Sequence, residues 1–143
     1  MNADGLFVYG SLRSGGRDHG WLRRTDPEGI TPAHTAGRLF HLPDTSAAAM
    51  VPRPEPATLP PGPGWVAGEF VGYADEQELA SAIADLDALE DVAGGLYERR
   101  LLPVILTSGH RYHAWVYLFP EDRLHRLERE STELTGGDFR EYL

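Results

Sequence analysis

The chain has 143 residues, a length that supports one domain with a real core but not two. Its 13 basic residues are all arginine and face 22 acidic ones, giving a formal charge of -9. Without lysine there is no lysine Schiff base or phosphate-loop lysine; without cysteine there is no disulfide, thiol nucleophile, iron–sulfur cluster or cysteine zinc site.

The 16 glycines and 11 prolines point to strands joined by shaped loops rather than to a helical bundle. The acidic balance argues against nucleic acid and anionic membranes as partners. Met1-Asn2-Ala3-Asp4-Gly5 lacks the basic flank and apolar core of a signal peptide. No apolar run approaches the roughly 20 residues that span a bilayer. A soluble cytoplasmic protein is the expectation, and nothing in the pattern sets its oligomeric state.

In chain order, Leu6-Phe7-Val8-Tyr9 reads as a buried strand that stops at Gly10-Ser11. A stretch of low periodicity follows, with Gly15-Gly16 and Asp26-Pro27-Glu28-Gly29 as turn signals. Thr35 to Leu42 reads as a second strand. From Pro52 to Pro63 the density of proline removes ladder donors, so a rigid extended loop or a disordered excursion is expected within one domain spanning 1–143. Trp65 to Tyr73 is the next strand. Asp75, with Glu78 three residues later, opens the clearest helix, and Gly94-Gly95 ends the segment. Leu101–Leu106 and Tyr112–Phe119 read as antiparallel neighbours joined at Ser108-Gly109. Leu124, Leu127 and Leu134 suggest a weaker late helix, before Gly136-Gly137 releases a tail. The order predicts an α+β or barrel-like domain.

The helix singles out one acid. At roughly 100° per residue from Leu79, the apolar Leu79, Ala82, Ile83, Leu86 and Leu89 fall at roughly 0°, 300°, 40°, 340° and 280°. Glu90 falls at roughly 20°, inside that arc, whereas Asp85, Asp87 and Asp91 at roughly 240°, 80° and 120° lie at its edge or outside. An inward carboxylate at a helix C-terminus is disfavoured as an anion by burial and by the helix dipole. Both effects raise its pKa, which suits a general base or acid near neutrality. The alternative is a helix that ends one residue early, leaving Glu90 solvated or paired with Arg99 or Arg100.

The Tyr9-Gly10-Ser11-Leu12 turn is the second lead. Gly10 allows a backbone geometry closed to larger residues, and successive amides of such a turn can cradle an anion. A plain tight turn is the competing reading.

Taken together, these segments resemble the gamma-glutamylcyclotransferase-like superfamily. Val8-Tyr9-Gly10-Ser11-Leu12 is similar to its opening signature and Gly68-Glu69-Phe70 to its central strand. Leu86-Asp87-Ala88-Leu89-Glu90 with Tyr97 and Arg99 is similar to its Leu-Asp-x-Leu-Glu…Tyr-x-Arg segment. Ala114-Trp115-Val116-Tyr117 and Gly137-Asp138-Phe139 match its last strand and tail. The match is ordered along most of the chain and poorest from Ser14 to Pro63.

The resemblance implies a compact mixed α/β domain around a small barrel-like sheet, with a pocket between the Tyr9–Leu12 loop and Glu90. It implies release of an amine from a small-molecule gamma-glutamyl amide as the glutamyl part cyclises to 5-oxoproline, with Glu90 catalytic. Gly10, Ser11 and Leu12 would bind either the substrate α-carboxylate or the charge developing on the amide oxygen. Tyr9 lines the pocket or caps the sheet, and Tyr117 brings a hydroxyl near it while Trp115 packs. Glu69 serves the pocket or an ion pair, Tyr97 and Arg99 fix the segment after the helix or reach the substrate, and Asp138 and Tyr142 close the pocket or anchor the tail. Ser11 is no nucleophile, because the amine attacks within the substrate. No cofactor or metal is expected, since the six histidines show no ligand spacing. A non-catalytic metabolite-binding module and a transferase with another acyl donor are the alternatives.

Overall fold

In a computed structural model that describes residues 2–143, the first apolar run becomes β1 (Gly5–Val8), with all four residues buried. A strand this short is apolar throughout because both its faces meet a core. Phe7 belongs to one buried cluster with Val66, Phe70, Val104, Ala114 and Val116. Leu6 and Val8 point the other way, into a second cluster with Leu79, Ile83 and Leu86. The two-residue period of strands produces this division.

The sheet closes on itself. β1 pairs antiparallel with β4 (Trp65–Gly72) and parallel with β6 (Arg111–Leu118), which pairs antiparallel with β5 (Glu98–Leu106). β2 (Gly29–Leu42) pairs β4 along Gly29–Ala36 and meets β5 at Ala33↔Leu106 and His34↔Ile105. The ring β2–β4–β1–β6–β5 is thus a closed five-strand barrel. Beyond Ala36 the same strand leaves the barrel to pair β3 (Ala47–Pro52) and the two-residue β7 (Thr132–Glu133).

β2 begins at Gly29 rather than Thr35, and β3 has no counterpart among the expected elements. The first half of β2 is largely exposed and carries Thr31, Pro32 and His34, so no apolar alternation marks it. β3 opens with three alanines, which are poor strand formers. Its pairing to Gly37–Leu42 and the complete burial of Ala49, Met50 and Val51 override that preference. The five-residue α1 (His19–Arg23) lies in the segment of low periodicity, too short to show one.

The prolines after β3 form an extended loop fastened at several points. Trp65 Nε1 donates to Thr58 O at 2.9 Å, Arg53 pairs with Glu121 at 2.8 Å, and Arg111 pairs with Glu55 at 3.0 Å.

α2 (Glu76–Leu89) starts where expected: the Asp75 carboxylate accepts the Glu78 N–H at 2.8 Å. Leu79, Ala82, Ile83 and Leu86 are buried against the barrel's outer face. α3 (Leu124–Glu130) is shorter than the spacing to Leu134 suggests, because Ser131 is extended and β7 intervenes. The tail is not released. Phe139 is buried among the barrel residues and Tyr142 stacks on His41 with ring centroids 3.9 Å apart.

Candidate active site

The end of β1, the end of α2 and the β2–β3 connection enclose a cavity of about 270 Å³. Tyr9, Gly10, Ser11 and Leu12 line it from β1 and the turn after it, Glu90 and Tyr97 from the α2–β5 connection, and Tyr117 from β6. Helix and turn, 78 residues apart in sequence at Leu12 and Glu90, therefore meet at one concavity.

α2 ends at Leu89, one residue before Glu90, yet Glu90 stays on the helical path because its N–H bonds Leu86 O at 2.9 Å. Its side chain neither escapes to solvent nor pairs with Arg99. Burial, followed by the nearby negative charge of Asp18, pushes the Glu90 carboxyl up to about 7. Among the described residues no hydrogen bond fixes that carboxylate. A carboxyl group that is half protonated near neutrality, and free to turn, can accept and return a proton.

This carboxyl also costs the fold something. An acid whose folded pKa lies above its unfolded value binds more protons when folded, so stability falls as pH rises between the two values. The cost is absent below about pH 4 and complete above about pH 8. Glu90→Gln is therefore expected to stabilise the protein by about 1–3 kcal/mol at pH 8 and to leave it unchanged near pH 4. Urea unfolding of both proteins at the two pH values measures the difference.

The turn is held from behind. Gly10 O accepts the Arg13 N–H at 3.0 Å, and Ser11 O accepts the Asp18 N–H at 3.0 Å. The Ser11 hydroxyl donates to Asp18 Oδ2 at 2.7 Å and His19 Nδ1 donates to Leu12 O at 2.8 Å. Among the described residues, the N–H groups of Gly10, Ser11 and Leu12 meet no backbone acceptor. Gly10 does not adopt a positive φ, contrary to the sequence reading. Space requires it instead: a Cβ there would lie 2.7 Å from Ala48 Cβ. Gly10→Ala should cost about 1–3 kcal/mol by overpacking. Adding Ala48→Gly should recover part of that loss, which a thermal-melt double-mutant cycle reads directly.

The three tyrosines are walls rather than bases. Tyr9 OH donates to Tyr117 O, Tyr97 OH to Ala48 O at 2.8 Å, and Tyr117 OH to Asp87 Oδ1 at 2.8 Å. Burial is the main cause that pushes all three phenols up, so they remain protonated at neutral pH. Tyr9 therefore both lines the cavity and ties β1 to β6.

Asp87, outside the apolar arc of α2, is engaged on both carboxylate oxygens. It takes the Arg99 guanidinium through Nε at 2.9 Å and Nη2 at 3.3 Å, besides the Tyr117 hydroxyl. Arg99 in turn lies 4.3 Å over the Trp115 ring. Arg99 thus sits outside the cavity and anchors the strand that carries Tyr117. Glu69 and Asp138 also lie elsewhere. Glu69 Oε1 accepts the Ser14 N–H at 2.7 Å, and Asp138 Oδ1 accepts from the buried Arg13 at 2.8 Å. Both hold the segment that follows the turn, and among the described residues Glu69 makes no ion pair.

Arg17, Asp18, Ala48 and Leu96 also line the cavity and had no periodic signal to announce them. The spacing of Ser11 and Asp18 around Gly15-Gly16 was the only available hint of a closed loop.

The sequence matches the family model for gamma-glutamyl cyclotransferase, AIG2-like, over residues 6–141. The chain belongs to this family. Among solved structures it is similar to YkqA from Bacillus subtilis, with 25% identity and a TM-score of 0.65 over 99% of this chain and 41% of that one. This chain thus spans about two-fifths of the length of YkqA. An AIG2-like protein from Mus musculus is 22% identical with a TM-score of 0.59, covering 87% of this chain and 84% of that one. The uropathogenic E. coli-specific protein c4763 is 19% identical with a TM-score of 0.61, covering 99% and 96%. These two likenesses carry the fold. No curated protein gives a significant sequence match. Of the segments that resemble the family, Val8–Leu12, Leu89-Glu90, Tyr97 and Tyr117 line the cavity, whereas Gly68-Glu69 and Asp138 line a separate one. No helix among the described residues is long and apolar enough to cross a membrane.

Proposed function

We propose that the protein is a gamma-glutamyl cyclotransferase, converting a small gamma-glutamyl amide to 5-oxoproline and a free amine. The observation that carries the reading is Glu90: a carboxyl that burial pushes up to about 7, without a hydrogen-bond partner among the described residues, inside a cavity also lined by a turn whose amides meet no backbone acceptor among them.

The substrate contains its own nucleophile. Its α-amino nitrogen attacks the γ-carbonyl carbon, a new C–N bond closes a five-membered ring, and the original amide C–N bond breaks. The protein's first task is to hold the folded conformer, which lowers an entropic barrier. Its second is proton management. Glu90 takes the proton from the attacking amine and delivers it to the departing nitrogen, so the carboxyl ends as it began. Raising its pKa from 4.5 to about 7 narrows the mismatch with an ammonium group by up to about 3 kcal/mol. The N–H groups of Gly10–Leu12 would hold the α-carboxylate or the developing oxyanion.

Incubation with a panel of gamma-glutamyl amines and amino acids, followed by mass spectrometry, tests this reading. Equal amounts of 5-oxoproline and free amine are expected. Absence of turnover across the whole panel, with substrate binding retained, would instead leave a metabolite-binding module.

A further inference from the structure

The mouth of the Glu90 cavity has a composition that the reaction itself does not require. The described chain exposes few large apolar side chains, and two of them, Leu89 at 39% and Leu96 at 48%, line this cavity. They flank Glu90 in sequence, one at the last turn of α2 and the other just after Gly94-Gly95. Leu42 and Ala47, both half-buried, come to the same cavity from the β2–β3 connection. Leu89 lies in the apolar arc of α2 yet is not packed with Leu79, Ile83 and Leu86 in the core. It borders the cavity and, on its other side, the groove lined by Trp21, Arg24 and Ala84. Exposed leucines held at a concave site mark a surface that something apolar covers.

Arg17 and Asp18 bring charge to this mouth. Among the described residues, Arg17 is the one arginine that lines the cavity. Its Nη2 donates to Thr45 O at 2.9 Å, and its Nε lies 3.6 Å from Asp18. Asp18 in turn accepts the Ser11 hydroxyl. A polar leaving group would leave the leucines in water.

We propose that the leaving group of the substrate carries an apolar side chain, which Leu89 and Leu96 cover while the glutamyl part occupies the deeper wall of Tyr9–Leu12. This inference rests on the cyclotransferase reading, and it names the substrate class for that reaction: gamma-glutamyl conjugates of amino acids or amines with a branched aliphatic side chain. Glu90 needs the scissile amide beside it, so a group beyond that amide emerges between the residues on either side of Glu90. An aliphatic group placed there removes its own surface and that of the two leucines from water. Discrimination by apolar contact of this size is about 10- to 200-fold between related groups.

The test uses two pairs of near-isosteric conjugates, gamma-glutamyl-leucine against gamma-glutamyl-asparagine and gamma-glutamyl-valine against gamma-glutamyl-threonine. For the wild-type protein, kcat/KM is expected to favour the aliphatic member of each pair by at least 10-fold. Leu96→Ser and Leu89→Ser should each shrink that ratio several-fold, mainly through a higher KM for the aliphatic member of each pair. A ratio near one in the wild type, or a ratio that survives both substitutions, overturns the proposal. The dissociation constants of the same conjugates are measured with Glu90→Gln, which does not depend on turnover. If nothing turns over but that variant still binds the aliphatic members at least 10-fold tighter, the cyclotransferase reading fails while the apolar mouth stands. Equal or weaker binding of the aliphatic members overturns the mouth as well.

Discussion

Glu90→Gln is expected to lower the turnover of gamma-glutamyl amides by about 10²–10⁴-fold while changing substrate affinity little. Glutamine keeps the shape and much of the polarity of the side chain but cannot carry the proton from the attacking amine to the departing nitrogen. The cavity walls do not depend on Glu90. Tyr97 is held through Ala48 O, Tyr117 through Asp87, and the turn through Arg13 and Asp18. Orientation of the substrate should therefore survive, and a residual rate above the uncatalysed cyclisation should remain. The comparison is informative because the same variant is expected to be more stable than the wild type at pH 8. Lost activity together with gained stability cannot be explained as misfolding. It is the behaviour of a group held in an unfavourable environment for its chemistry.

The second large effect is structural. Asp87→Ala should destabilise the protein by about 2–3 kcal/mol, visible as a fall in melting temperature of about 10 °C. One carboxylate receives both the Arg99 guanidinium and the Tyr117 hydroxyl, so its removal leaves two partly buried donors without their acceptor. Arg99 keeps its place over Trp115, and for that reason the loss is smaller than for a fully buried ion pair. Adding Arg99→Met to the Asp87→Ala chain should restore part of the stability, because an unpaired guanidinium is then replaced by an apolar stem. Since Tyr117 lines the cavity, Asp87→Ala should also weaken substrate binding. Binding and melting of the two variants, measured side by side, separate the effects: the double variant recovers stability but not the fixed phenol.

How much of this was legible in the sequence depends on which residues one asks about. Glu90 could be found from helical angles alone, because Leu79, Ala82, Ile83 and Leu86 define a narrow arc that the next turn brings back to Glu90. The exact end of the helix did not matter, since the cap residue retains its bond to Leu86 O. Leu89 obeyed the same arc yet is exposed, and periodicity cannot distinguish a core from the mouth of a cavity. The pairing of Asp87 was out of reach for a related reason: an angle at the edge of an arc says nothing about an arginine arriving from β5. The first half of β2 and all of β3 were invisible because their partners, not their side-chain patterns, make them strands. Barrel closure belongs to the same class, resting on two residue pairs between β2 and β5. Gly10 was noticed for the right loop but for the wrong physical reason, crowding against Ala48 being a tertiary fact.

The most direct test of Glu90 as the proton carrier is the pH dependence of kcat/KM for 5-oxoproline release, in the wild type and in Glu90→Gln. The substrate's own amine titrates at higher pH and affects both proteins equally. The wild type should show an additional acidic limb breaking near pH 7, where the burial of Glu90 places its carboxyl, and the residual activity of the variant should lack that break. A wild-type profile without a break near pH 7, or a break that persists in Glu90→Gln, would contradict the assignment.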